Sequence, residues 1–171
     1  MNRIAPIPPG TRPELAEQEA RIAAERGRVS PLYQVLLNSP PMAHGWEQML
    51  SAVRNRSSLP ADLRELAILR VAVLNRASYE FDAHVPHALA GGLSQAQVDA
   101  VRADAPGAPL LPPHLLVLEL TDVMTRTIEV PDALYQRVAA QFGTQQQVDL
   151  LVTVAAYNMV SRFLIAAHVG H

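Results

Sequence analysis

The chain has 171 residues, 49% of them hydrophobic and 18% charged, with a formal net charge of −2. That composition suits a globular protein with a sizeable core, and it leaves no electrostatic footprint for nucleic acid or an anionic membrane surface. The 14 basic residues are all arginine and are scattered, and cysteine is absent, which excludes disulfides, thiolate metal sites and thiol-based peroxidase or reductase chemistry.

The longest apolar runs, such as 71–74 and 150–157, are too short to span a bilayer, and the first six residues lack the apolar core of a signal peptide. A soluble cytoplasmic protein with no membrane partner is therefore expected.

Residues 1–12 are rich in proline and read as an extended arm, ahead of a single all-α domain over 13–171. Helical periodicity begins near Pro13, with Leu15, Ile22 and Ala23 among Glu and Arg. Short helical segments follow at 31–37 and from Pro40-Pro41 through Trp46, Met49, Leu50 and Val53; proline is tolerated in a first turn because its missing N–H has no partner there. Leu59-Pro60-Ala61-Asp62 opens a central helix reaching about Arg76. Ser78 is placed to cap the next helix, to about Ala90, which Gly91-Gly92 ends. Pro86 inside it predicts a kink just after His84. Ser94 is placed to cap a helix through Val101. Four prolines and a glycine between 104 and 113 predict a loop. Three further helices are predicted over 113–127, 131–142 and 144–167. No period-2 alternation with hairpin turns appears, so the class is all-α, with about eight helices.

The stretch from Ser78 to Gly92, together with Glu65, carries the densest chemistry. Glu80 and His84 are four residues apart and share a helix face. A carboxylate touching an imidazole orients it and shifts its pKa, as proton transfer near neutral pH requires. The flanks are apolar, so these polar groups need partners or a purpose. For each, a structural role stands beside the functional one: a buried histidine paired to Glu80 for stability alone, a solvated first-turn carboxylate at Glu80, an exposed Glu65 beside Arg64 or a structural pair of Glu65 with an arginine. Tyr79 offers a phenol to a substrate oxygen or packs in the core. Asn158 and Arg162, also four apart, offer a carboxylate anchor or an internal pair, and Arg70 invites the same two readings. Glu80, His84 and His87 at i, i+4 and i+7 also spell a possible metal triad, although Pro86 distorts the helix between the two histidines.

Leu59-Pro-Ala-Asp-Leu-Arg-Glu-Leu-Ala-Ile-Leu-Arg, then Tyr79-Glu-Phe-Asp-Ala-His84-Val-Pro-His-Ala and Gly92-Leu-Ser, resembles the carboxymuconolactone decarboxylase family, which includes the alkylhydroperoxidase D-like proteins. Residues 154–163 look like that family's closing helix. In the peroxidase branch a Glu precedes a Cys-x-x-Cys pair and a His follows; Glu65 and His84 match the Glu and the His, while Ala77 and Glu80 stand where the cysteines would be. The resemblance is thus to the cysteine-free branch, which includes lactone decarboxylases working without metal or organic cofactor. It implies the alkylhydroperoxidase D-like fold, a homo-oligomer (trimer or hexamer), and a lyase (decarboxylase) or isomerase acting on a small oxygenated organic acid or lactone. His84, Glu80 and Glu65 would be catalytic, and Arg162, Tyr79 and Asn158 would bind substrate. A metal-dependent enzyme using Glu80, His84 and His87, or a non-catalytic binding protein on the same fold, are the alternatives.

Overall fold

Among residues 2–170, which the computed structural model describes, there are nine α-helices, one 3-10 turn (Pro13–Leu15) and no strand. The helices are α1 (Ala16–Arg26), α2 (Pro31–Leu36), α3 (Pro40–Asn55), α4 (Ala61–Leu74), α5 (Ser78–Ala90), α6 (Gln95–Ala100), α7 (Pro112–Arg126), α8 (Asp132–Gln141) and α9 (Thr144–Ala167). The all-α expectation holds, and each helical segment named from the sequence, the short α2 and α6 among them, forms its own helix, which makes nine rather than about eight. The chain divides into two compact units. One runs up to Arg56 and takes in the residues from Leu164 on; the other is Ser57–Phe163.

In the first unit the proline-rich arm is tied to its own chain. Arg3 N–H donates to the Ala167 carbonyl, Ile7 N–H to that of Gln34, and Gly10 N–H to the Glu19 carboxylate. Ile7 is buried. A polar cluster crosses α1, α2 and α3. The Ser51 hydroxyl donates to Glu47 at 2.6 Å and accepts from Arg26 at 3.2 Å, while the Arg26 guanidinium lies 5.8 Å from the Tyr33 ring centre. Burial pushes the Tyr33 phenol above its ordinary pKa, against the opposing pull of Arg26.

The second unit is built on α4. Leu63 and residues 65–72 are all buried, so this helix is enclosed on nearly every side. Leu66, Ile68, Leu69 and Val71 have no exposed surface, and each contributes about 2 kcal/mol relative to an exposed position. Within this core Arg70 grips Asp122 of α7 through two nitrogens and also donates to the carbonyls of Val101 and Ala103. Of the two readings of Arg70, the structure selects the internal pair. His114, at the start of α7, is buried: its Nδ1 accepts from Leu111 N–H and its Nε2 faces Asp62 at 3.2 Å.

The turn between α4 and α5 sets the site. Asn75, Arg76 and Ala77 reverse the chain, with Arg76 in the left-handed region at φ 58°. That conformation costs about 1 kcal/mol for a non-glycine residue. Asn75 Nδ2 holds the turn against α9 by donating to Asn158 Oδ1 and Ser161 Oγ. The cap expected at Ser78 is not formed: Ala77 occupies the N-cap and Ser78 is already helical, because the chain enters the helix one residue early. At the far end of α5, Gly91 sits so close to Ala61 that a Cβ there would meet Ala61 backbone at 3.3 Å and the His87 carbonyl at 3.1 Å. Ser94 does cap α6, in a full capping box with Gln97.

The apolar runs judged separately understate α9. Its 24 residues are long and apolar enough to cross a membrane by length and composition, but 56% of its most apolar stretch is buried within the fold.

Candidate functional site

Helices α4 and α5 each present one buried face to the other, and the polar groups lie on those faces. On α5 the buried residues are Glu80, Phe81, His84 and Ala88, a stripe at helical spacing. On α4 Glu65 is 1% exposed. His84 Nδ1 lies 2.8 Å from Glu65 Oε2. With Glu65 ionised, Nδ1 carries the proton and donates it, which leaves Nε2 as the nitrogen that exchanges protons. The pairing of His84 with Glu80 expected from their spacing is corrected here. The orienting carboxylate comes from the neighbouring helix, because the antiparallel turn brings Glu65 to the imidazole, and the i, i+4 relation on α5 only sets Glu80 and His84 on one face.

Glu80 is 3% exposed, and both of its carboxyl oxygens are buried with no hydrogen-bond partner among the described residues. Its place in the first turn of α5 favours a negative charge. Burial outweighs that and pushes its pKa up to about 9, so Glu80 is a neutral carboxylic acid at pH 7. The solvated first-turn carboxylate that the sequence also allowed does not exist in this fold.

The site has further walls that spacing did not reveal. Tyr157 of α9 meets the His84 ring edge-on at 5.0 Å, and His87 lies 5.7 Å from it, exposed. Arg64 Nε donates to Glu65 Oε1 at 3.3 Å, with the Arg64 side chain 16% exposed. The structural pair of Glu65 with an arginine that the sequence allowed is thus formed, with Arg64, although adjacent helix residues ordinarily diverge.

Two of the three expected binding residues, Arg162 and Asn158, bond to each other. Arg162 is exposed and its Nη1 donates to the backbone and side-chain oxygens of Asn158. Asn158 is buried and engaged on every side: its amide donates to Thr125 Oγ1 and the Val154 carbonyl, and its Oδ1 accepts from Asn75 and Arg162. It holds the α4–α5 turn in place rather than offering free groups. Tyr79 is half-buried at the start of α5. Glu80, His84 and His87 do not converge either; among the described residues no three His, Asp or Glu side chains are grouped as metal ligands would be.

Comparison with known proteins agrees with this architecture. Residues 40–109 match the sequence profile of the carboxymuconolactone decarboxylase family. The chain is 29% identical over 113 residues to the uncharacterized protein YdfG of Bacillus subtilis, a match spanning 65% of this chain and 77% of that protein. Its fold is similar to the alkylhydroperoxidase AhpD core of an uncharacterized peroxidase-related protein from Ralstonia eutropha JMP134, with a TM-score of 0.82 and 15% identity, covering 96% of this chain and 90% of the other. It is similar also to a debrominase solved in complex with 2,3,4-tribromopyrrole, with a TM-score of 0.81 and 10% identity, covering 99% and 91%. Over residues 40–109 the chain is thus similar to the carboxymuconolactone decarboxylase family, and its fold is alkylhydroperoxidase D-like.

Proposed function

We propose that the chain is a lyase or isomerase that works by proton transfer, without an organic cofactor, on a small oxygenated organic acid or lactone. One observation carries this reading: a buried imidazole held by a carboxylate shares a helix face with a second carboxyl group kept neutral by burial. A neutral acid beside an imidazole oriented by a carboxylate forms an acid–base set.

The roles follow from the geometry. Glu65 fixes the His84 tautomer and stabilises the imidazolium when His84 takes a proton. Glu80 carries a proton at neutral pH and gives it up to a developing anion. In a decarboxylation, the carbon–carbon bond to the carboxylate breaks, carbon dioxide leaves, and the electron pair moves onto an adjacent carbonyl as an enolate. Glu80 protonates that enolate, and water restores the proton through His84. In an isomerisation, His84 removes the proton and Glu80 returns one elsewhere. The anchoring role expected of Arg162 passes to Arg64, the cation that touches the pair.

The cysteine-free sequence supplies no thiol couple for peroxide reduction. The test is turnover of a panel of β-oxo acids, lactones and unsaturated acids in deuterium oxide, with product deuteration read by mass spectrometry. Deuterated product that disappears in His84→Gln supports the reading. Binding of such acids with no deuteration and no turnover, unchanged in His84→Gln, would make this a binding protein instead.

A further inference from the structure

His87 follows Glu80 and His84 along α5 and takes no part in the acid–base set. That set is closed off from water. Both Glu80 oxygens are buried, Glu65 is 1% exposed and His84 is 7% exposed. Each proton that Glu80 gives away must be replaced from solvent across this closure, so recharging needs a path of its own. His87 stands where such a path would leave the fold. Three helical residues turn about 60° short of a full circle, which carries His87 from the buried stripe of Glu80, His84 and Ala88 to its rim. It is exposed, and its ring centre lies 5.7 Å from that of His84, with the ring planes 56° apart. Across a gap of this size a proton passes between ring nitrogens directly or over a single water.

The neighbouring groups do not offer this path. Tyr157, which meets the same ring, is 2% exposed, and Arg64, which reaches Glu65, keeps its guanidinium proton. Imidazole is the side chain that both takes and releases protons near neutral pH. The geometry points to His87 as a proton relay between solvent and His84, a role that rests on the acid–base reading of Glu65, His84 and Glu80. His87 takes a proton from water and passes it to Nε2 of His84. Glu65 stabilises the imidazolium so formed. Nε2 then gives the proton to the Glu80 carboxylate, which the enolate has emptied. Both histidines end as they began, and the one proton consumed has come from solvent. His87 touches no reacting atom in this scheme; it sets how fast the site recharges.

The test reads proton movement without substrate. In protein labelled with nitrogen-15 at histidine, the Nδ1–H that His84 donates to Glu65 exchanges with water once a proton reaches Nε2. NMR saturation transfer measures that rate, with the His84 signal assigned by its absence in His84→Gln. His87→Gln should slow the exchange by about 10²-fold, the low end of what a positioned proton-transfer group supplies. The thermal midpoint should not move, and free imidazole added to the buffer should restore the rate. His44→Gln, which removes an exposed histidine of α3, should leave the rate as it is. A wild-type rate in His87→Gln, a slowed rate that imidazole fails to restore, or equal slowing in His44→Gln would overturn the relay. No turnover enters the measurement, so the relay can fail while product deuteration upholds the acid–base chemistry, and the reverse.

Discussion

Glu80 is buried with no partner for either oxygen, and its cost to the fold depends on pH. An ordinary Glu, near 4.5, loses its proton in the unfolded chain while the folded group, near 9, keeps it. Between those values the native state holds more protons, so stability falls as pH rises, by about 1.4 kcal/mol per pH unit, or about 3 kcal/mol by pH 7. Glu80→Gln, neutral throughout, should be more stable than wild type in urea at pH 8, with the gap closing towards pH 5; a gap independent of pH would show that burial is not the cause. The same variant should lose turnover. Glu65→Gln and His84→Gln should each lower kcat by about 10²- to 10⁴-fold, the usual worth of a positioned proton-transfer group. If Glu65→Gln left kcat and its pH profile unchanged, the orienting role would fail.

At the scale of the elements, α4 is held to α7 by a buried charge. Arg70 is 1% exposed and spends its donors on Asp122 and the carbonyls of 101 and 103. Asp122→Ala strands that guanidinium and should cost about 3 kcal/mol or more in denaturant unfolding. A loss under 1 kcal/mol would mean that water or the carbonyls replace the carboxylate. The end of α5 and the Ser94 cap were legible from Gly91-Gly92 and Ser94, whereas the Ser78 cap was not formed. Spacing alone did not identify the partner to His84, since it reports neighbours on one helix; the resemblance named Glu65 beside Glu80, and the turn at Arg76 brings Glu65 in from the other helix. Nor could spacing show that Arg162 folds back onto Asn158, because a polar pair at i, i+4 satisfies itself as readily as it binds a ligand.

For the whole molecule, the helical class and the family resemblance were readable from the chain alone because each level agreed: turn residues, apolar periodicity and the Glu-to-His spacing. Glu80 was readable both as a proton-transfer group with a raised pKa and as a solvated carboxylate, and burial, a property of the assembled fold, decides between them. The function proposed here therefore turns on one proton. The most direct measurement is a carbon-13 NMR titration of protein labelled at the Glu side-chain carboxyl, with Glu80 assigned by its absence in Glu80→Gln. A Glu80 signal that stays protonated through pH 7 and titrates near 9 is the expected result. A signal that titrates with the surface carboxylates near 4 would contradict the account, leaving His84 and Glu65 as a structural pair with no acid beside them.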